Sequence, residues 1–257
     1  MSTFTALTLN MQNGEPWVDG ARGPSTPDLE GTINFLRTHP ADLIFLQEVE
    51  AGSEGGAQAE PPPNYTALKN ALHDLEAVFG YPEKNPDEIP FGIGLAIFSR
   101  FPLSGFWSEN LPAPDCQFEF GGRMRNPSQR LLIGATADVD GKKLQVLNTH
   151  LQAFFMIGTS SDRHRNQRDV VENHLRDSAP ATLLAGDFNC APEESLLEQF
   201  ASAGFTPAQT ERPTWRRRPY ALDHLLSGPG LELLGCEVIP TKVSDHYGVS
   251  ASYSLCK

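Results

Sequence analysis

The strongest constraint on this chain is a series of short apolar runs that recurs from one end to the other, each closed by a turn signal. They fall at residues 4–9, 43–46, 93–99, 131–139, 144–149, 182–185, 222–226, 233–239 and 247–253. Runs of that length between Gly, Pro, Asn and Asp clusters are strands buried on one or both faces. Helical patterns lie between some of them, at 26–38 with Leu29, Ile33 and Leu36 on one face, and at 65–79, 162–176 and 193–203. Strands dominate and helices alternate with them, which predicts a layered α/β or α+β arrangement. Residues 50–63 hold Ala, Gly, Ser, Glu and Gln and end in three prolines, and strand and helix signals resume on both sides. That segment is expected to be a flexible surface loop rather than a linker. No internal repeat or boundary interrupts the 257 residues, so one domain is expected.

Composition narrows the function classes. Hydrophobic residues make up 39% and charged residues 20%, enough for a substantial core. The 20 Lys and Arg against 32 Asp and Glu give a charge of −12. A protein that grips nucleic acid through a broad basic surface is disfavoured by that balance, whereas a local phosphate site is not. The N-terminus, Met1-Ser2-Thr3-Phe4-Thr5, has no basic and apolar leader pattern, and no run approaches membrane-spanning length. A soluble, cytoplasmic protein is expected. Cys116, Cys190, Cys236 and Cys256 are widely spaced without a CxxC pair, which suits reduced thiols.

Polar residues close the apolar runs at six places: Asn10 after the first, Gln47-Glu48 after the second, then Asn148-Thr149-His150, Asp187-Phe188-Asn189, Asp223-His224 and Ser244-Asp245-His246. A lone carboxylate after a strand is usually a cap or a turn former, and a lone histidine is usually a satisfied, partly buried one. Six such placements in one chain are explained better by a shared crevice, since strand ends converge in layered α/β proteins.

The ordered set Leu9-Asn10, Leu46-Gln47-Glu48-Val49, Gly94 with Phe98-Ser99-Arg100-Phe101-Pro102, Arg130, Asn148-Thr149-His150-Leu151, Gly186-Asp187-Phe188-Asn189, Leu222-Asp223-His224 and Ser244-Asp245-His246 resembles the endonuclease/exonuclease/phosphatase superfamily. These DNase I-like metal-dependent phosphoesterases include AP endonucleases, neutral sphingomyelinases, inositol polyphosphate 5-phosphatases, tyrosyl-DNA phosphodiesterase 2 and deadenylases. The resemblance implies an α/β fold, a four-layer αββα sandwich in which two mixed sheets pack face to face with helices outside.

Phosphoester hydrolysis needs a hard cation to neutralise charge, a base to activate water, and donors for the transition state. The resemblance implies Mg²⁺ or Mn²⁺ on Glu48 with Asn10, and Asp245 completing the site. It also implies an Asp223–His246 pair, with His246 as general base or phosphate clamp, Asp187 orienting the nucleophile or acting as the base, and Asn189 and His150 on the phosphate oxygens. Oxygen ligands suit such an ion, and no Cys and His cluster suggests zinc. The resemblance also implies Arg130 as a substrate-binding residue, while an arginine opening a strand also serves as a surface ion-pair partner.

The substrate is less legible. His150 and Gln12 depart from the AP endonuclease pattern, where Asn and an acid are usual. Three basic segments, 121–125, 163–168 and 215–218, are expected to form a basic lip with Arg130 and Arg212, within which Arg165 binds phosphate and Trp215 stacks on a ring. The apolar run 153–158 after His150 would suit a lipid if exposed, although burial is the simpler expectation. The reading is a phosphodiesterase acting by direct attack of activated water on a phosphoester substrate, with nucleic acid among the candidates, no stable membrane association and no implied protein partner. A sphingomyelinase-type headgroup hydrolase and a non-catalytic binding protein on the same fold are the alternatives.

Overall fold

The computed structural model describes all residues except 1, 21, 22, 24, 54–56, 85–91, 128 and 257. One six-stranded sheet contains β1 (Thr3–Asn10), β2 (Leu43–Ala51), β3 (Glu76–Gly80), β4 (Gly92–Ser99), β13 (Leu231–Ile239) and β14 (Gly248–Leu255), in the order β13-β14-β1-β2-β4-β3. The other contains β5 (Leu103–Asn110), β8 (Leu131–Val139), β9 (Lys142–His150), β10 (Thr182–Asp187), β11 (Thr206–Pro207) and β12 (Asp223–Ser227), in the order β11-β12-β10-β9-β8-β5. Both sheets are mixed: β1 with β2 and β9 with β10 run parallel, and the remaining pairs antiparallel. A separate hairpin joins β6 (Phe118–Phe120) to β7 (Arg123–Arg125). The helices are α1 (Leu29–Thr38), α2 (Pro63–Ala71), α3 (Asn166–Arg176) and α4 (Leu196–Ser202).

Strand periodicity builds the layers. Phe4, Ala6, Leu43, Phe45, Leu95 and Ile97 meet Leu131, Ile133, Leu144, Val146, Leu183 and Ala185 in the core between the sheets. The alternate residues Leu7, Leu9, Ile44, Leu46, Ala96 and Phe98 face outward under Ile33, Phe35 and Leu36 of α1 and Leu68 of α2. On the far side Leu132, Leu147, Leu184 and Leu226 lie under Val171 and Leu175 of α3 and Leu196 and Phe200 of α4. Both faces of these strands are covered, which is why they appear in sequence as near-continuous apolar runs. The result is the expected four-layer αββα sandwich.

Several boundaries differ from expectation. The predicted helix over 65–79 ends at Ala71, and Glu76–Gly80 pairs with β4 as an edge strand. The apolar stretch 75–79 fits either period, and pairing with a neighbouring strand decided it. The first strand to follow Pro102, β5, escaped the sequence reading because it is mostly exposed and Ser, Gly, Glu and Asn supply five of its eight residues. Of the segment 50–63, Glu50 and Ala51 still belong to β2, and buried Glu50 accepts the Tyr65 backbone N–H at 2.8 Å. Residues 54–56 of that segment lie outside the described residues. Among the described residues no helix is long and apolar enough to cross a membrane.

Candidate active site

The strand ends named by the sequence meet at one end of the sandwich. In the second sheet Asp187 lies in register with His150 on β9 and with Asp223 on β12. In the first, Asn10 closes β1 opposite Gln47. Beneath the site the two sheets are joined by buried amides: Gln47 Nε2 donates to Asn148 Oδ1 at 2.8 Å, and Asn148 Nδ2 donates to the Leu46 and Ala96 carbonyls at 3.0 Å. A satisfied buried amide network of this kind fixes the relative position of two layers that apolar packing alone would allow to slide.

Local backbone irregularities aim the side chains. The β2–β4 register shifts between Gln47 and Glu50, and Glu48 adopts φ 49°. This left-handed residue turns its carboxylate out of the strand, where Asn10 Nδ2 donates to it at 3.1 Å and to Asp187 Oδ2 at 3.0 Å. Gly92 faces this carboxylate so closely that a Cβ there would overlap the Glu48 side chain. Asn189, at φ 47°, donates its backbone N–H to Asp187 Oδ1 at 3.0 Å. Its amide donates to the Leu151 carbonyl and also meets His150 Nε2, each at 3.0 Å.

Asp187 is the hub. Its Oδ2 lies 3.5 Å from His150 Nε2 and 3.7 Å from His246 Nε2. His246 Nδ1 is 2.8 Å from Asp223 Oδ2, the oxygen that also accepts the Thr214 hydroxyl at 2.6 Å. Asp245 Oδ2 accepts Trp215 Nε1 at 3.2 Å and Arg217 Nε at 2.7 Å. Arg130 Nη1 lies 3.1 and 3.3 Å from the two ring nitrogens of His150. Asn10, Arg130, His150, Asp187, Asn189, Asp223, Asp245 and His246 are all buried.

Burial and crowding of these acids shift their ionisation. Burial, then the Asp223 charge, raises the Asp187 carboxyl to about 7. Burial also raises Glu48, against the Asn10 amide and Arg130. For His246 burial opposes the proton, but Asp223 and Asp187 override it and raise the ring to about 10. His150 goes the other way: burial, with Arg130 and His246 nearby, holds it neutral, well below the usual range.

The donor set suits a hard divalent cation. Asp187, Asp223 and His246 place ligand atoms within 4.8 Å of one another. Asp223 Oδ2 is already committed to the Thr214 hydroxyl and His246 Nδ1, so that trio is foremost a hydrogen-bonded relay. Glu48 and Asp187 share one amide and both have raised pKa values, a surplus of negative charge that a cation would relieve.

One expectation for the lip is not met. Trp215, read as a stacking platform, is 7% exposed and packs its indole between Asp245 and Phe155. Arg165 is paired with Asp169 at 3.5 Å on the surface, and Arg168 of the same segment is buried in a network with Ser161, Asp162, Ser195 and Gln199. Of the apolar run, Phe154 is buried and Met156 is 56% exposed. Sequence reasoning missed Thr214, and it did not foresee that Arg217 of the basic segment would pair with Asp245 or that Gln12 Oε1 would accept the Asp245 N–H at 3.2 Å, since these contacts are made across the fold.

The sequence matches the Endonuclease/Exonuclease/phosphatase family model over residues 7–246. No curated protein is significantly similar. Among solved structures, an endonuclease/exonuclease/phosphatase from Beutenbergia cavernae shares 23% identity at a TM-score of 0.72, covering 100% of this chain and 72% of that one. The human Nocturnin catalytic domain with bound sulfate shares 18% at 0.69, covering 98% and 94%. A mannosyl-6-phosphatase from Bacteroides thetaiotaomicron shares 16% at 0.68, covering 98% and 99%.

Proposed function

The chain belongs to the endonuclease/exonuclease/phosphatase family, and on that premise we propose that it is a divalent-metal-dependent phosphodiesterase that attacks phosphorus directly with an activated water. The observation that carries this reading is the convergence on Asp187 Oδ2 of Asn10, His150 and His246, at 3.0, 3.5 and 3.7 Å. One carboxylate placed among an amide and two imidazoles is suited to holding a water against an anionic phosphate.

Glu48, with the Asn10 amide and Asp245, is the proposed metal set, and its all-oxygen chemistry favours Mg²⁺ or Mn²⁺. When bound, the ion neutralises phosphate charge and acts as a Lewis acid. In the arrangement described, Asn10 donates toward Glu48, so ligation by its oxygen requires the amide to turn, releasing the Gln12 N–H that Oδ1 accepts at 3.1 Å. Asp187, with its raised pKa, is the proposed base that takes the proton of the water. His246, held protonated by Asp223, is the proposed cationic clamp on the phosphate. Asn189 keeps one amide hydrogen on the Leu151 carbonyl and directs the other at neutral His150 Nε2, from which it is proposed to pass to a phosphate oxygen when substrate binds. Arg130 braces the His150 ring. Because residues from Asn10 to His246 all belong to this one site, residues 1–257 are proposed to be one catalytic domain.

The test is a substrate panel containing bis-p-nitrophenyl phosphate, DNA, abasic DNA, RNA, sphingomyelin and inositol polyphosphates, with Mg²⁺, Mn²⁺ or EDTA. Metal-dependent turnover abolished by Glu48→Gln and His246→Asn is expected. Turnover that survives EDTA, or full activity in both variants, would overturn the proposal.

A further inference from the structure

Three consecutive arginines each lie over a different aromatic group. Arg216 is 4.6 Å from the Tyr247 centroid, Arg217 is 5.4 Å from Trp17, and Arg218 is 5.6 Å from Phe155 and 5.7 Å from Tyr220. Their other contacts differ. Arg216 donates to the Thr241 carbonyl and Arg217 to Asp245. Arg218 is exposed and makes no ion pair among the described residues.

Contiguous ring contacts tie Arg218 to the site. The His246 and Trp215 rings are 6.2 Å apart, Trp215 and Phe155 are 5.7 Å apart, and Phe155 carries Arg218. The positive charge therefore stands two aromatic rings, Trp215 and Phe155, beyond the imidazole that faces Asp187. A guanidinium resting on a ring uses its face, so its N–H edge stays available for a phosphate, which it can bind through two parallel hydrogen bonds. Seating it on Phe155 and Tyr220 also reduces the side-chain freedom lost on binding.

We propose that Arg218, seated on Phe155 and Tyr220, is a specificity-determining residue that binds a second phosphate of the substrate, set apart by the Trp215 and Phe155 rings from the phosphoester being cleaved. The preferred substrates are then phosphoesters that carry an additional phosphate, whether on a nucleotide chain or on a polyol. This inference rests on the phosphoesterase reading above and deepens it. The basic segment 215–218 thus contributes through Arg218, while Trp215 serves beneath it as packing.

The test compares kcat/KM for thymidine dinucleotides with and without a terminal phosphate at either end, and for inositol phosphates differing by one phosphate. The wild type is expected to prefer the member with the extra phosphate in at least one series, and the series identifies the source. Arg218→Ala should reduce that preference about tenfold, mainly through KM, as expected for loss of a charged hydrogen bond. Arg218→Lys should retain part of it, and rising salt should erode it. No wild-type preference, or a preference that Arg218→Ala leaves intact, overturns the inference while metal-dependent turnover of bis-p-nitrophenyl phosphate still upholds the phosphoesterase reading. If the wild type turns over no phosphoester at all, both fall together.

Discussion

Asp223 holds the His246 ring through Nδ1 at 2.8 Å, using the same oxygen that accepts the Thr214 hydroxyl at 2.6 Å. That oxygen fixes both the ring's orientation and the proton on Nδ1, leaving Nε2 to face Asp187 at 3.7 Å. Asp223→Asn keeps the shape but removes the charge that keeps the ring protonated. It is expected to lower kcat on the order of 10²-fold or more, as for other buried Asp–His pairs. Thr214→Val should cost less, about tenfold, because the charge remains. Steady-state kinetics on bis-p-nitrophenyl phosphate, with near-ultraviolet circular dichroism to confirm folding, checks both; equal kcat in wild type and Asp223→Asn would refute the role.

Stability of the metal-free protein should fall with alkaline pH. The His246 pKa is raised from 6.5 to about 10 by Asp223 and Asp187 against burial, so its contribution is complete below pH 6.5 and is lost as pH rises through 10. Asp187 is also raised, from 3.8 to about 7 by burial and Asp223, so its contribution is complete below 3.8 and gone above 7. Both act in one direction. Urea midpoints in EDTA should decline from pH 6 to pH 10, and His246→Asn should flatten the decline above pH 7. A rising midpoint over that range would contradict these assignments.

Divalent-ion binding should be linked to the Asp187 proton. Glu48 and Asp187 share the Asn10 amide, so a cation held by Glu48 competes with the proton on Asp187. Affinity for Mn²⁺ is expected to weaken as pH falls below about 7, by up to tenfold per pH unit, with proton release on binding. Calorimetry in buffers of different ionisation enthalpy reads both quantities. Glu48→Gln should weaken binding at every pH, and pH-independent binding without proton release would reject the linkage.

Gly186 packs so tightly against β9 that a Cβ there would overlap the Thr149 carbonyl, and its φ is 155°. The obstacle is backbone, which has little freedom to move. Gly186→Ala is therefore expected to cost about 3 kcal/mol and to disturb the register that sets Asp187 beside His150. Thermal melting and activity should fall together, and a variant with wild-type melting would exclude the clash.

Arg168 is 1% exposed and donates to Ser161 at 3.0 Å, Asp162 at 2.8 Å and Ser195 at 2.7 Å. It thereby ties the segment following His150 to the one following Asn189. Arg168→Met removes the buried charge but strands its acceptors, with an expected cost of about 3 kcal/mol. Denaturant unfolding measures it; a change below about 0.5 kcal/mol, the range of ordinary surface substitutions, would show that the network carries no stability.

Apolar runs such as Phe4 to Leu9 were legible in sequence because burial of a strand on both faces leaves a local, near-continuous apolar signature; the four layers were implied by the family resemblance, and which residue faces which layer came from the structure. The polar residues that end those runs, from Asn10 to His246, were legible for the same reason, since a strand must leave the core somewhere. Where local signals were ambiguous, at residues 75–79 and along β5, pairing with a neighbouring strand decided the outcome.

Tertiary structure alone decided the partners. Thr214 on Asp223, Arg217 on Asp245 and Arg130 against His150 join residues from different strands and loops. Charge count in sequence could not separate the buried Arg168 from the exposed Arg218, nor show that Trp215 is packing rather than platform. A side chain's type sets which interactions it is able to make. Its burial and neighbours follow from sheet register and layer packing, which depend on the whole chain, and these determine which of those interactions form and how its ionisation shifts.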